Sequence, residues 1–193
     1  DYPTSQAVEG LKGACAKLTT VSTGKGPSSL FGMYIPGIAA GNLFIGEFKP
    51  KVGRKTSYLK ATSFGIPFRK KPEILVGYYK YKAGDKLVDS DGKEIMGKKD
   101  DFAIYAVLFE NTVDNKGYLD GGNSLSSKDI VLKAELTDRK ETSEWTKFTL
   151  PFEAMNGKTV DPKKLAEGGY SFAIIMSSSK DGAKFEGAIG STL

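Results

Sequence analysis

Histidine is absent and Cys15 is the only cysteine, so any chemistry here rests on carboxylates, tyrosine, serine, threonine or lysine. Ser-His-Asp and Cys-His nucleophile systems, His-based zinc motifs and any histidine general base are excluded. A lone cysteine also excludes an internal disulfide and a Cys-based zinc cage, and Cys15 reads as a small buried hydrophobe. The acids near predicted strands are Glu47, Glu73, Glu110, Asp181 and Glu186. Hydrolysis of a glycoside needs two carboxyl groups about 5–9 Å apart, one kept protonated by an apolar setting. Glu110 ends an apolar run and Glu47 interrupts one, so burial would raise the pKa of either. Their spacing along the chain pairs none of them. The plainer reading of each is a solvated carboxylate at a strand end.

Recognition is the second chemistry on offer. A sugar is held by flat aromatic faces against its C–H side and by planar polar groups at its hydroxyls. Tyr34, Tyr78, Tyr79, Tyr81, Tyr105 and Trp145 are the aromatic candidates, with Arg69, Asn42, Asn123, Ser177 and Asp181 as polar partners. Side chains alternate across a strand, so Leu75, Gly77, Tyr79 and Tyr81 share one face and read as core. Tyr78, beside Lys80 and Lys82, is then the surface tyrosine. Trp145 opens a strand after a polar turn, where it either plugs the end of a sandwich or stacks on a ligand. The predicted ligand-binding set is Tyr78, Trp145, Arg69, Phe68 and Asp181, with no catalytic residue assigned.

The elements that must position these residues are strands. Period-2 alternation marks Ala14 to Val21, Asn42 to Lys49, Ile74 to Lys82, Ile130 to Asp138, Glu144 to Phe152 and Tyr170 to Ser178, and a last strand begins at Phe185. Phe102 to Phe109 is apolar on both faces, as expected of a central strand covered on both sides. Pro162 to Glu167 reads as one helical turn with Asp161 as N-cap. Residues 1–10 and 22–41 read as loops, the second long enough to be functional or to pack as a lid, and 51–60 as basic and irregular. Asp89-Ser90-Asp91-Gly92 faintly resembles a calcium loop, but Lys86, Lys93, Lys98 and Lys99 would repel a cation, so we read a hairpin turn, with no metal and no cofactor. Seven or eight strands without a helix of useful length predict an all-β, two-sheet antiparallel sandwich. A jelly roll is preferred to an immunoglobulin fold, whose Cys-Trp-Cys signature is missing.

One domain spanning 1–193 suits this length, and no repeat or low-complexity linker divides it. The net charge of +5 would attract polyanions weakly, yet only Arg54, Arg69 and Arg139 of the 28 basic residues are arginine. Nucleic acid, which favours bidentate arginine, is therefore not the predicted partner. No signal-peptide pattern opens the sequence, and Asp1 reads as the start of a mature fragment.

Four segments carry a family resemblance: FGIPFRKKPEILVGYYKYKAGD, DFAIYAVLFEN, SEWTKFTLPF and YSFAIIMSSSKDGAKFEGAIGSTL. In this order they resemble the putative carbohydrate metabolism domain of surface and secreted proteins of gut anaerobic bacteria, from about Leu18 to Leu193. The closing SSSKDGxxFxGAxGSTL segment is the most specific. The resemblance implies a jelly roll related to carbohydrate-binding modules, carried behind other domains of one lipoprotein polypeptide at the cell surface or secreted. It also implies that the chain is a C-terminal piece whose final strand, bearing acidic residues, lies past Leu193. The function expected is a non-catalytic module that binds a polysaccharide or serves as an accessory. A glycoside hydrolase using a carboxylate pair and an adhesion module with no small-molecule site are the alternatives.

Overall fold

A computed structural model describes residues 2–24, 26–50 and 53–193. Lys51, which opens the segment read as basic and irregular, lies outside the described residues. Most of the rest of that segment forms a short helix, Lys55–Leu59, rather than a loop.

The strand Ala103–Glu110 is the axis of the protein. It is apolar at almost every position, and seven of its eight residues are buried. Tyr170–Ser177 and Ile130–Glu135 flank it in antiparallel register, and each accepts shorter strands at its far edge. Ile66–Pro67 and Asn42–Phe44 pair with Tyr170–Ser177, and Glu153–Ala154 pairs with Ile130–Glu135, giving a six-stranded sheet.

Period-2 alternation sends the sheet's residues to two different cores. On one face, Tyr79, Tyr81 and Phe148 of a two-stranded ribbon pack on Phe102, Ile104 and Leu136. That ribbon pairs Ile74–Tyr81 with Thr142–Pro151. Tyr79 and Tyr81 lie 4.9 and 4.5 Å from Phe102, ring centre to ring centre. Burial of each such ring stabilises by about 1.5–3 kcal/mol. Gly77 sits amid the tyrosines because Phe148 crosses it: a Cβ there would lie 2.4 Å from that ring. On the other face, Tyr105, Val107 and Phe109 meet Phe64 and Leu119, brought over by the intervening loops. The result is an all-β sandwich in which one layer is a full sheet and the other, among the described residues, centres on a two-stranded ribbon.

Several predicted boundaries shift. Residues 4–10, expected to be loop, form a strand, Thr4–Gly10, paired with Gly13–Leu18 in an N-terminal hairpin. Asn42 to Lys49, expected as one strand, breaks at Ile45. Asn42–Phe44 joins the large sheet, whereas Gly46–Phe48 pairs with Thr62–Phe64. The connection 22–41 contains small hairpins, Val21–Ser22 with Ile38–Ala39 and Ser28–Leu30 with Met33–Ile35. Val131, expected outward, is fully buried, because the register shift opposite Leu108 and Phe109 puts Val131 in the same core as Leu132 and sends Ile130 to the other. The helical turn is Pro162–Ala166, with the Asp161 side chain accepting from the Lys163 and Lys164 N–H groups.

The closing motif is a polar knot. Asp100, 7% exposed, accepts at Oδ2 from Ser179 Oγ (2.6 Å), Ser191 Oγ (2.6 Å) and the Ala188 N–H (2.7 Å). Thr20 Oγ1 joins Ser178 and Ser179 at 2.8 and 2.5 Å. Gly187 is required beside it, since a Cβ there would meet Ser179 Oγ at 2.5 Å. Buried hydroxyls need partners, and here each supplies another's. The knot ties the end of the Tyr170–Ser177 strand to the last residues of the chain.

Candidate functional site

The five predicted ligand residues occupy three separate places. Phe68 stacks on Phe172 at 4.8 Å and packs against the core under the sheet edge. Arg69 is exposed and lies over Gly168. Tyr78 and Trp145 lie on the outer side of the ribbon and line one groove. Asp181 lines a different pocket, on the opposite face of the large sheet.

That pocket is built by register. Asn42, Ser177 and Ala103 stand opposite one another across three strands, and Phe44, Ile175, Tyr105 and Glu135 form the next row across four. Cross-strand partners share a face, so the rows make a floor of Ala103, Ile175 and Tyr105 ending in the Glu135 carboxylate. The turn after Ser179 brings Asp181 to the rim, and Arg139 comes from the turn that follows Leu136. The enclosed volume is about 320 Å³, at the small end of ligand pockets. Three predicted polar partners, Asn42, Ser177 and Asp181, therefore meet here. Two others, Glu135 and Arg139, were not anticipated. Glu135 follows the polar positions of an alternating strand, and only its registration against Tyr105 reveals what it faces.

Four of the pocket's charges, Glu135, Arg139, Asp181 and Lys184, are ion-paired. Glu135 is 2.8 Å from Lys133 and 3.8 Å from Arg139, whose guanidinium also lies 2.6 Å from Asp101. Asp181 pairs with Lys184 at 2.8 Å, and that bond raises the lysine's pKa. Burial pushes the Tyr105 phenol up to about 12, and its hydroxyl bonds Ser124 Oγ at 2.8 Å. Tyr105 is thus a neutral wall and hydrogen-bonding group, not a base.

The carboxylates expected to be raised by burial are not apolar acids. Glu110 accepts from Lys158 at 2.7 Å and Lys164 at 2.9 Å, and these bonds hold its pKa below the ordinary glutamate value. Glu47 is solvent-exposed and bridges to Lys49 at 2.7 Å. A strand-end position was the right location for Glu110, but the two lysines there reverse the effect of partial burial.

The groove at Tyr78 and Trp145 is larger, about 690 Å³, and lies between the strands Gly13–Leu18 and Ile74–Tyr81. Tyr78 is 46% exposed. Lys80 Nζ sits 5.3 Å from the centre of the Trp145 ring, so one face of that ring already carries a cation. Ile104, Phe148 and Met176 lie at the base. Cys15, expected to be buried, is half-buried on the wall. Among the described residues, the buried Tyr81 hydroxyl has no hydrogen-bond partner of good geometry.

No curated protein matches the chain. Among solved structures, it resembles one described as a putative glycoside hydrolase from Bacteroides thetaiotaomicron, with 47% identity and a TM-score of 0.87. That likeness covers all of this chain and 54% of the other, so the chain spans about half the length of that relative. A second, also described as a putative glycoside hydrolase, from Bacteroides vulgatus, is 46% identical with a TM-score of 0.83 over 98% of this chain and 73% of the other. The family described as the putative carbohydrate metabolism domain matches residues 1–193, and the chain belongs to it.

Proposed function

We propose that this domain is a non-catalytic glycan-binding module of a surface or secreted carbohydrate-utilisation protein, with the pocket around Asp181 as its site. The observation that carries this reading is the convergence of Asn42, Ser177, Asp181, Glu135 and Arg139 over the floor of Ala103, Ile175 and Tyr105. An apolar floor with a few fixed planar polar groups is what a pyranose ring with its hydroxyls requires. Family membership supports a carbohydrate ligand, and the relatives' descriptions point the same way.

A hydrolytic reading has one specific observation in its favour: two carboxylates, Glu135 and Asp181, line the same pocket. Both are ion-paired, and neither has the apolar surroundings that keep a carboxylic acid protonated for leaving-group donation. Binding without turnover is the better account.

Calorimetry against a panel of soluble polysaccharides tests it. We expect Asp181→Ala and Asn42→Ala each to weaken binding about tenfold, the loss of one well-placed hydrogen bond to a charged or planar group. Tyr78→Ala and Trp145→Ala should leave affinity unchanged, with all four variants melting normally. Silence towards every glycan, or binding that depends on Tyr78 and Trp145 but not on Asp181, would sink the assignment. Release of reducing sugar that Glu135→Gln abolishes would replace it with the hydrolytic one.

A further inference from the structure

The pocket around Asp181 does not end at its rim. A trough of about 510 Å³ adjoins it, and Asn42, Phe64, Gly121 and Ala183 line both. Two of these four have almost no side chain. A Cβ on Gly121 would lie 3.6 Å from the Ala183 methyl carbon, and the Gly121 N–H donates to Leu59 O at 2.9 Å. At this point the boundary between pocket and trough is a glycine against an alanine.

The trough offers a different chemistry. Phe44, Phe48, Tyr58, Leu59 and Phe185 are among its walls, and among the described residues no charged side chain lines it. Its few polar groups are largely committed. Tyr58 donates its hydroxyl to Tyr34 O at 2.7 Å, and the Asn42 side-chain amide donates to Ala40 O at 2.9 Å. One turn serves both cavities: Asp181 and Lys184 line the pocket, Gly182 and Phe185 the trough, and Ala183 both. Phe185 has a φ of 62°, a left-handed conformation that is rare for a bulky side chain and persists only where the surroundings hold it. Its ring packs against Tyr34 and Tyr58, each 5.2 Å away centre to centre. That packing fixes where Asp181 stands relative to the apolar wall.

Resting on the assignment of the pocket to a sugar, we propose that the ligand is a saccharide carrying an apolar aglycone, alkyl or aryl. Its ring occupies the pocket and its aglycone lies in the trough. A second pyranose would bring hydroxyls that need partners, and the trough has few to give. An alkyl chain or aromatic ring needs none and gains by leaving water. Phe48, 63% exposed at the end of the strand Gly46–Phe48, is the kind of bare apolar wall that such a group would cover. Each methylene buried there tightens binding about fourfold. The groove at Tyr78 cannot serve the same molecule, because it lies on the opposite face of the large sheet.

Calorimetry with the methyl, butyl, hexyl and phenyl glycosides of glucose, galactose, mannose and xylose tests this. For at least one sugar, the hexyl glycoside should bind about thirtyfold or more tighter than the methyl one, the value for half the added chain buried. The phenyl glycoside should also gain, and both should show a more negative heat-capacity change. Phe48→Glu should remove the gain and leave the methyl glycoside's affinity as it was, whereas Phe48→Leu should keep most of it. Asp181→Ala should weaken the whole series by one common factor. Polysaccharide binding with no gain from hexyl or phenyl would overturn the aglycone and leave the pocket's assignment to sugar intact. Silence towards every polysaccharide and glycoside would overturn both. Hexyl-glycoside binding that ignores Asp181→Ala would make the trough a separate apolar site. An equal, Phe48-dependent gain from an unsubstituted trisaccharide would give it to a further sugar. Either of these results also overturns the proposal.

Discussion

The two concavities of this protein differ in what their walls leave unsatisfied. In the pocket on the large sheet, the floor strands are paired on both sides and polar side chains, Asn42, Glu135, Arg139, Ser177 and Asp181 among them, line the opening. In the groove, the side chains are mainly tyrosine, tryptophan and aliphatic groups, and the open groups are backbone edges. A sugar needs directional side-chain partners on a rigid floor, and a strand needs a ladder. Size ranks the sites in the opposite order. What sets the two apart is the bonding groups of their walls, not volume or aromatic content.

The largest effect is expected where the two surfaces share a support. Asp100 ties Ser179, next to the turn that carries Asp181, to Ala188 and Ser191, which lead Thr192 and Leu193 into the groove. Asp100→Ala leaves two buried hydroxyls and one N–H without their acceptor, and should cost about 3–5 kcal/mol. Thermal melting should show a fall of about 10 °C, with glycan affinity impaired. If Tm fell while glycan affinity held, the pocket would not depend on this knot.

A narrower change separates them. In Gly77→Ala the new Cβ would lie 2.4 Å from the Phe148 ring, so the ring must shift within the ribbon core. Overpacking of this kind costs about 1–3 kcal/mol. The damage should stay on the groove side: a lower Tm, with glycan affinity as in the parent. A glycan affinity that fell in step would mean that the ribbon reaches the pocket through the central strand.

The sequence showed the groove's side chains and hid its nature. Alternation placed Tyr79 and Tyr81 inside and Tyr78 and Trp145 outside, because one residue of strand rotates a side chain by half a turn. The central strand was legible because Phe102 to Phe109 is apolar at every position. Register was not legible. The pocket exists because Tyr105 stands opposite Glu135 and Ser177 opposite Asn42, pairings made across loops that carry no periodic signal. Glu110 shows the same limit in electrostatic form. Its local sequence is apolar, and the lysines that ionise it come from positions 158 and 164.

Glu110 also supplies the control for the comparison, because it sits at the end of the central strand and lines neither cavity. Its bonds to Lys158 and Lys164 lower its folded-state pKa. A lowered carboxyl pKa stabilises the folded state fully above the unfolded value, near 4.5, and that stabilisation is lost as pH falls through the folded value. Glu110→Gln should therefore cost about 1–2 kcal/mol at neutral pH, the range for partly exposed charge-assisted bonds. The gap in Tm between parent and variant should be widest above about pH 5 and close towards pH 3. A gap that stayed constant to pH 3 would show that the lysines contribute by packing alone. Glycan affinity should be that of the parent at neutral pH. If it dropped with this modest, remote loss of stability, its loss in the Asp100 variant would report general softening, and the contrast between pocket and groove would need a readout independent of folding.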